Sequence, residues 1–156
     1  MGIYIFGGQK ANKIVTNELF IIRAYPKKPE NNCYFCEDYL ECVKPNISGK
    51  PPIARSNHNA TLVESRYLVI YGGINPELQH SAGTTCVNDI VLLNLNHFQW
   101  ETVAVSGPEP EGRWDFTISA INNRVIIFGG NLEEGEYDTH LYTIDLADSR
   151  TTSIPT

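Results

Sequence analysis

Short apolar runs that end in paired glycines recur three times along the chain. They read "IYIF" at 3–6, "RYLVIY" at 66–71 and "RVIIF" at 124–128. Runs of this length that are rich in Val, Ile, Tyr and Phe and close on glycine are typical of β-strands buried on both faces. Glycine ends such a strand because it reaches positive φ without a Cβ clash and lets neighbouring backbone come close. No window shows a strong helical period, and the best helical candidate, "CYFCEDYLEC", is weak.

The glycine pairs are part of a longer repeat. They begin at Gly7, Gly72 and Gly129, which gives spacings of 65 and 57 residues. A second strand is predicted after each pair, and the three segments align without gaps. These segments are "NELFIIRA" at 17–24, "NDIVLLNL" at 88–95 and "THLYTIDL" at 139–146. A fixed period of this size is the sequence signature of repeat architectures such as propellers.

A loop segment repeats in the same order. "CVKPNISGKPPIAR" at 42–55 aligns with "WETVAVSGPEPEGR" at 100–113, at an offset of 58 residues. A further strand follows each terminal arginine and leads back to the next glycine pair. The repeated unit therefore contains four predicted strands and one Gly-x-x-Pro-x-x-Arg loop.

This unit resembles a kelch repeat over nearly the whole chain. One complete copy is carried by "RSNH" (55–58), "YLVIYGG" (67–73), "NDIVLLNL" (88–95) and "W…GPEPEGR" (100–113). The resemblance implies an all-β fold, a β-propeller whose blades are four-stranded antiparallel sheets around a central channel. The Trp of the pattern is present as Trp100, and its counterparts are Cys42 and Thr151.

The blade count predicts an incomplete ring. We expect residues 1–156 to form a partial propeller. Residues 1–50 make blade 1 without its innermost strand and with a Cys-bearing insertion at 26–39, followed by blade 2 at 51–107 and blade 3 at 108–156. Propellers typically have four to eight blades. Remaining blades of a longer product are the favoured way to complete the ring, and self-association with another copy is the alternative.

Composition limits the class of partner. The chain has 156 residues, of which 42% are apolar, and a formal net charge of −6. It can bury a core, and no block of like charge indicates a nucleic-acid or membrane partner. No apolar run approaches a membrane span, and the N-terminus lacks the features of a signal peptide. A cytoplasmic location is therefore expected.

The cysteines are the candidate zinc ligands. Cys33, Cys36 and Cys42 form C-x2-C-x5-C in the first insertion, and Cys86 lies in a second insertion. C-x2-C is half of a zinc site, and Cys86 with Cys42 or His80 would complete it only if the insertions meet. Reduced thiols are the favoured interpretation, a disulfide is a further alternative, and no metal or cofactor is predicted.

No catalytic set is present. The sequence has no Ser-His-Asp order, no H-E-x-x-H and no phosphate-binding glycine loop. His58 occupies the histidine position of the kelch pattern, so a hydrogen-bonded packing role is expected. The acidic segment "NLEEGEYD" at 131–138 lacks the calcium-loop motif, and a solvated acidic loop is favoured over a calcium site or a contact with a basic partner.

The resemblance points to loop residues as the binding site. In kelch proteins that bind peptides, recognition commonly uses the loops after the glycine pair and around the arginine. The candidates here are Gln9, Lys10, Asn75, Glu77 and Asn131 after the glycines, and Arg55, Asn57, Arg113, Trp114 and Asp115 around the arginines. Trp114 is the strongest candidate because an exposed Trp is a typical interface anchor, the alternative being burial at the start of the next strand. The arginines either bond loop carbonyls or project toward a carboxylate of a ligand.

The predicted function is therefore a protein-interaction or scaffold module that binds a protein or peptide through its propeller loops. The alternative is a portion of a kelch-containing enzyme, of the oxidase, epimerase or phosphatase-fused type, whose catalytic residues lie outside this chain. A purely architectural role in a large assembly is the third hypothesis. Fold alone does not decide among them.

Overall fold

A computed structural model of the chain describes residues 2–25, 39–146 and 150–154, and its strands form three antiparallel sheets. The first sheet contains β1 (Gly2–Phe6), β2 (Leu19–Tyr25) and β3 (Tyr39–Val43); the second contains β4 (Asn59–Val63), β5 (Tyr67–Tyr71), β6 (Ile90–Asn94) and β7 (Gln99–Thr102); the third contains β8 (Thr117–Ile121), β9 (Arg124–Phe128), β10 (Leu141–Asp145) and β11 (Arg150–Ile154). Within each sheet the strands are ordered as they follow one another in the sequence. The predicted all-β class and kelch-type sheets are confirmed.

Helix is confined to two short loop elements in the described part of the chain. The helix α1 (Leu78–Ala82) lies in the second insertion, and a 3-10 turn covers Glu133–Gly135. Neither is long or apolar enough to cross a bilayer. The end of the weak helical candidate lies in β3, and its earlier residues fall outside the described ranges.

Strand register confirms the alignment of the repeats. In each sheet, the residue at the Trp position faces the same residue of the preceding strand. The facing pairs are Ile22–Cys42, Leu93–Trp100 and Ile144–Thr151. Cys42 and Thr151 therefore occupy the position of Trp100, as the sequence predicts.

The core lies between the sheets. Alternate side chains of a strand point to opposite faces, so the second sheet packs against both of its neighbours. Ile70 and Leu93 join the cluster with the first sheet, whereas Val69 and Tyr71 join the cluster with the third. All four side chains are fully buried.

The prediction that the glycine-ended strands are buried on both faces is correct only for the second sheet. There β5 is covered on both faces toward its end, and every residue of β6 is buried. Along β1 and β9, more exposed side chains alternate with more buried ones instead. Ile3 in β1 is 66% exposed and Phe128 in β9 is 44% exposed. The reason is that, among the described residues, the first and third sheets each pack against a neighbouring sheet on one face only. Each therefore has an open flank with exposed apolar side chains.

Candidate interaction surface

Arg55 is a buried structural residue. Its side chain has no exposed area. The guanidinium donates to the carbonyls of Ile53 (2.9 Å) and Gly72 (3.2 Å). It also forms a two-pronged ion pair with the carboxylate of Asp89, at 2.5 and 2.8 Å. The side chain thus connects its own loop, the glycine turn and the start of β6.

Arg113 makes similar contacts in the third sheet and is also fully buried, but its Nη2 has no hydrogen-bond partner among the described residues. It donates to the carbonyls of Glu111 and Gly129, each at 3.0 Å, and pairs with Asp138 at 2.6 Å. Burial tends to raise the pKa of Asp138. Hydrogen bonds from His140 and Arg113 outweigh burial and lower that pKa to about 2. The carboxylate therefore stays ionised beside the arginine at neutral pH.

The backbone of each arginine reaches the preceding sheet. The carbonyl of Arg55 accepts the N–H of Gly8, and the carbonyl of Arg113 accepts the N–H of Gly73, both at 2.8 Å. Each arginine loop therefore links two blades. The interpretation that these residues bond loop carbonyls is confirmed, and their guanidinium groups are not exposed for contact with a ligand.

The acidic partners of the arginines were missed from sequence. Asp89 directly precedes β6, and Glu18 occupies the same place before β2. In the third repeat the gapless alignment puts His140 there, whereas the acid that pairs with Arg113 is Asp138, two residues earlier. A search for any Asp or Glu within three residues of each of these strands would have found all three acids.

Four candidate residues form one surface on the loops between the sheets, which we call the loop surface: Asn57, Trp114, Asp115 and Asn131. Asn57 and Asp115 are exposed, and the Asn57 amide reaches the Asp115 carboxylate at 3.5 Å across two blades. Both have positive φ, of 56° and 53°, which Asn and Asp tolerate best among non-glycine residues. Trp114 is half-buried. Its backbone exchanges two hydrogen bonds with Asn131, at 3.0 and 2.8 Å.

The remaining candidates lie elsewhere. Asn75 is buried, and its side chain accepts the N–H of Glu77 at 3.0 Å, so it shapes the turn before α1. Glu77 is exposed at that turn. Gln9 and Lys10 are exposed in the first sheet's glycine turn, where Lys10 pairs with Glu18 at 3.1 Å.

The acidic loop is a structural anchor, which corrects the prediction of a merely solvated loop. The Glu133 carboxylate accepts the Thr84 hydroxyl at 2.7 Å and the N–H groups of Thr85 and Cys86, each at 3.1 Å. The Thr84 hydroxyl contributes most to holding the pKa of Glu133 at about 2. Since Asp138 binds Arg113, two of this loop's acids are engaged within the protein.

The zinc hypothesis stays a prediction. Cys33 and Cys36 lie outside the described residues. Cys42 is exposed and Cys86 is buried, both as free thiols. Burial, followed by contact with Glu133, raises the pKa of Cys86 to about 12, which disfavours the thiolate that metals bind. Within residues 2–25, 39–146 and 150–154, no three His, Cys, Asp or Glu side chains are grouped for a metal.

His58 packs as predicted but lacks one expected hydrogen bond. Its ring meets Phe6 edge-on at 5.3 Å. Its buried Nδ1 has no hydrogen-bond partner within the described ranges. Burial, with a smaller effect of the Arg55 charge, lowers the pKa of His58 to about 4. The imidazole is therefore neutral at physiological pH.

Three sheets with matching registers, each closed by a glycine turn and joined to the next through an arginine loop, define blades of a β-propeller. Residues 2–156 match the family model described as the KLHDC2/KLHL20/DRC7 Kelch-repeats domain. The chain belongs to this kelch-repeat family. Kelch-repeat domains are generally non-catalytic interaction modules.

Relatives with kelch-type similarity come from distant organisms. The chain is 26% identical to Tip elongation aberrant protein 1 of Schizosaccharomyces pombe, with 96% of this chain and 11% of the relative covered. It is 28% identical to Acyl-CoA-binding domain-containing protein 5 of Arabidopsis thaliana, covering 97% of the chain and 21% of the relative. It is 32% identical to Host cell factor 1 of Homo sapiens, covering 60% of this chain and 5% of the relative. The chain thus spans a small part of each relative's length.

Proposed function

We propose that the chain is a protein-interaction module that binds a protein or peptide partner through the loop surface. The observation that carries the proposal is Trp114, a half-buried tryptophan directly before Asp115, whose carboxylate accepts a hydrogen bond from Asn57 of the preceding blade. Family membership supports it, because kelch repeats commonly serve in protein interaction.

The geometry suits an interface anchor. Tryptophan is enriched among residues that dominate binding energy, and such residues lie within a rim that excludes water. The two backbone hydrogen bonds to Asn131 fix the main chain of Trp114, so binding need not order this part of the loop. Asn57 and Asp115 supply the polar rim.

Substitution of Trp114 by alanine tests the proposal. The backbone pairing with Asn131 does not need the indole, so the fold is expected to persist. Loss of an anchor typically costs about 2 kcal/mol or more, roughly a 30-fold loss of affinity. The matched control is Tyr137→Ala, because Tyr137 is a 77% exposed aromatic residue that is not one of the four loop-surface residues and is joined to Asn131 through its backbone alone.

The measurement is quantitative mass spectrometry of proteins retained by wild type, Trp114→Ala and Tyr137→Ala, followed by titration of each purified partner. We expect direct partners whose affinity falls with Trp114→Ala and not with Tyr137→Ala. Thermal unfolding of the three proteins serves as the folding control. Partners that bind all three proteins equally would remove Trp114 from the contact site.

A further inference from the structure

Trp100, in β7, fills part of the contact between the second sheet and the first. Its side chain is 7% exposed, and its indole ring meets the ring of Phe6 edge-on at 5.5 Å. Leu19 and Ile21 of β2 belong to the same buried cluster. A tryptophan side chain from the last strand of one sheet thus packs against the preceding sheet.

The third sheet has threonine at this position. Strand register places Thr151 of β11 where Trp100 lies in β7, and threonine carries no ring. The residues that surround the tryptophan nevertheless have counterparts in the cluster between the second and third sheets: Tyr71 for Phe6, Ile90 for Leu19 and Leu92 for Ile21. That contact therefore keeps apolar surroundings for an indole and lacks the indole that the repeat provides next to it.

A cleft lies between the second and third sheets beside two of these counterparts. Leu92 and Leu146 line one cavity of about 460 Å³, and Ile90 and Val105 line another of about 360 Å³. Residues 102–104, which complete β7 and follow it, line both cavities, so the two adjoin. We call them together the intersheet cleft. Apolar walls and volumes in the usual range of ligand pockets suit a large flat side chain.

Acidic side chains predominate around the intersheet cleft. Its charged lining residues within the described part of the chain are four acids and one base: Glu64, Asp89, Glu101, Glu109 and Arg66. Asp89 is paired with Arg55. Glu64 lines the larger cavity and Glu109 the smaller one, and both are exposed. This excess of negative charge favours a cationic partner over an anionic one.

We propose that the intersheet cleft binds a tryptophan side chain from a basic segment of a partner protein, with Lys or Arg next to the tryptophan. Trp100 shows that this repeat accommodates an indole at the equivalent place between two sheets. Tryptophan is also a typical interface anchor that fills a pocket on its partner. The site is separate from the loop surface, because none of the four loop-surface residues lines either cavity.

Capped synthetic peptides are the probes. The test peptide is Gly-Gly-Lys-Trp-Lys-Gly-Gly. One control has alanine in place of the tryptophan, and the other has glutamate in place of both lysines. Dissociation constants are measured from amide chemical shifts of isotope-labelled protein of all 156 residues. The amides of residues 102–104 report on the intersheet cleft, and the amide of Asp115 reports on the loop surface.

Two variants fill the cleft from within the protein. Thr151→Trp restores the tryptophan of the repeat. Ala104→Trp is the second filling variant, because Ala104 is exposed and lines both cavities. Trp114→Ala, at the loop surface, is the control for the location of the site. Thermal unfolding of each variant is the folding control.

We expect saturable shifts at residues 102–104 with the lysine-tryptophan peptide, and at least about tenfold weaker binding of the alanine peptide, as for loss of an interface anchor. The glutamate peptide should bind at least about fivefold more weakly, and high salt should reduce this difference by screening surface charge. Each filling variant should bind the test peptide at least about tenfold more weakly than wild type. Trp114→Ala should bind it like wild type.

Several results would overturn the proposal. These are absence of saturable shifts, equal affinity for the tryptophan and alanine peptides, equal affinity for the lysine and glutamate peptides, and undiminished binding by folded Ala104→Trp. Shifts confined to Asp115 and its neighbours would assign the peptide to the loop surface instead. Shifts at residues 102–104 that depend on protein concentration without peptide would assign the intersheet cleft to a second copy.

Discussion

Replacing Gly73 with alanine tests whether the second glycine of a pair is required for close backbone contact as well as for its conformation. Gly8 is the matched control, because it occupies the same position in the first sheet. Their φ angles are +94° and +98°, so both substitutions impose the same backbone strain. Of the two added Cβ atoms, only the one at Gly73 lies within 4 Å of another atom of the described residues.

The strain common to both sites is about 1–3 kcal/mol. At Gly73 the new Cβ would lie 2.6 Å from the Ser56 carbonyl oxygen and 2.8 Å from the Cβ of His58, so backbone must move. Such overpacking costs about 1–3 kcal/mol. The two hydrogen bonds between Ser56 and Ile74, at 3.0 and 2.8 Å, stretch when this backbone moves. Each hydrogen bond lost lowers the stability by about 1 kcal/mol. Gly73→Ala should therefore cost about 2–4 kcal/mol more than Gly8→Ala.

Urea unfolding followed by tryptophan fluorescence measures the difference. With an m-value of about 2 kcal/mol/M, the midpoint of Gly73→Ala should lie about 1–2 M below that of Gly8→Ala. Equal midpoints for the two variants would refute the reasoning, because conformation alone would then explain both glycines.

Two further predictions concern pH. The pKa of His58 is lowered to about 4, so the unfolded chain takes up the proton first, and stability falls as pH drops from about 6.5 to 4. His58→Phe installs the residue found at the equivalent position, Phe116. Between pH 7 and pH 4 the variant should lose about 3 kcal/mol less unfolding free energy than wild type, as measured by urea unfolding at the two pH values. An equal loss in the two proteins would contradict this prediction. The pKa of Glu133 is about 2, so its contribution is complete above pH 4.5 and is lost toward pH 2. Glu133→Gln should therefore unfold at a lower urea concentration than wild type at pH 7, and at nearly the same concentration at pH 2. A difference between the two midpoints that does not shrink toward pH 2 would contradict the anchoring role of Glu133.

Local sequence predicts the strands because each run ends at a glycine pair and the repeats share one register. The pairing of Cys42 with Ile22 and of Trp100 with Leu93 shows that the alignment holds across an insertion. Burial was less predictable. The run at β1 resembles the run at β5, but Ile5 is 44% exposed and Ile70 is fully buried. The number of neighbouring sheets decides this difference, and it is not a property of the strand itself.

The candidate site was predictable only in part. A glycine-proline loop that ends in arginine marks the position of Arg113, but whether the side chain points inward depends on Asp138, which lies in a loop of different length. The exposed face, with Asn57 beside Asp115, follows from the repeat offset of 58 residues. The anchoring of Glu133 depends on Thr84, which lies in the second insertion. That insertion has no counterpart in the other repeats, so no alignment of the units could indicate this contact.

The two open flanks give the molecule a direction. Ile5, on the first sheet's flank, matches Ile70, which packs toward the preceding blade, whereas Phe128, on the third sheet's flank, matches Tyr71, which packs toward the following blade. Two copies that met through these flanks would form a heterologous, head-to-tail contact. Such contacts give a ring if the rotation closes and a filament if it does not. A charge introduced at Ile5 would then block association through the first sheet's flank and leave the third sheet's flank able to bind another copy.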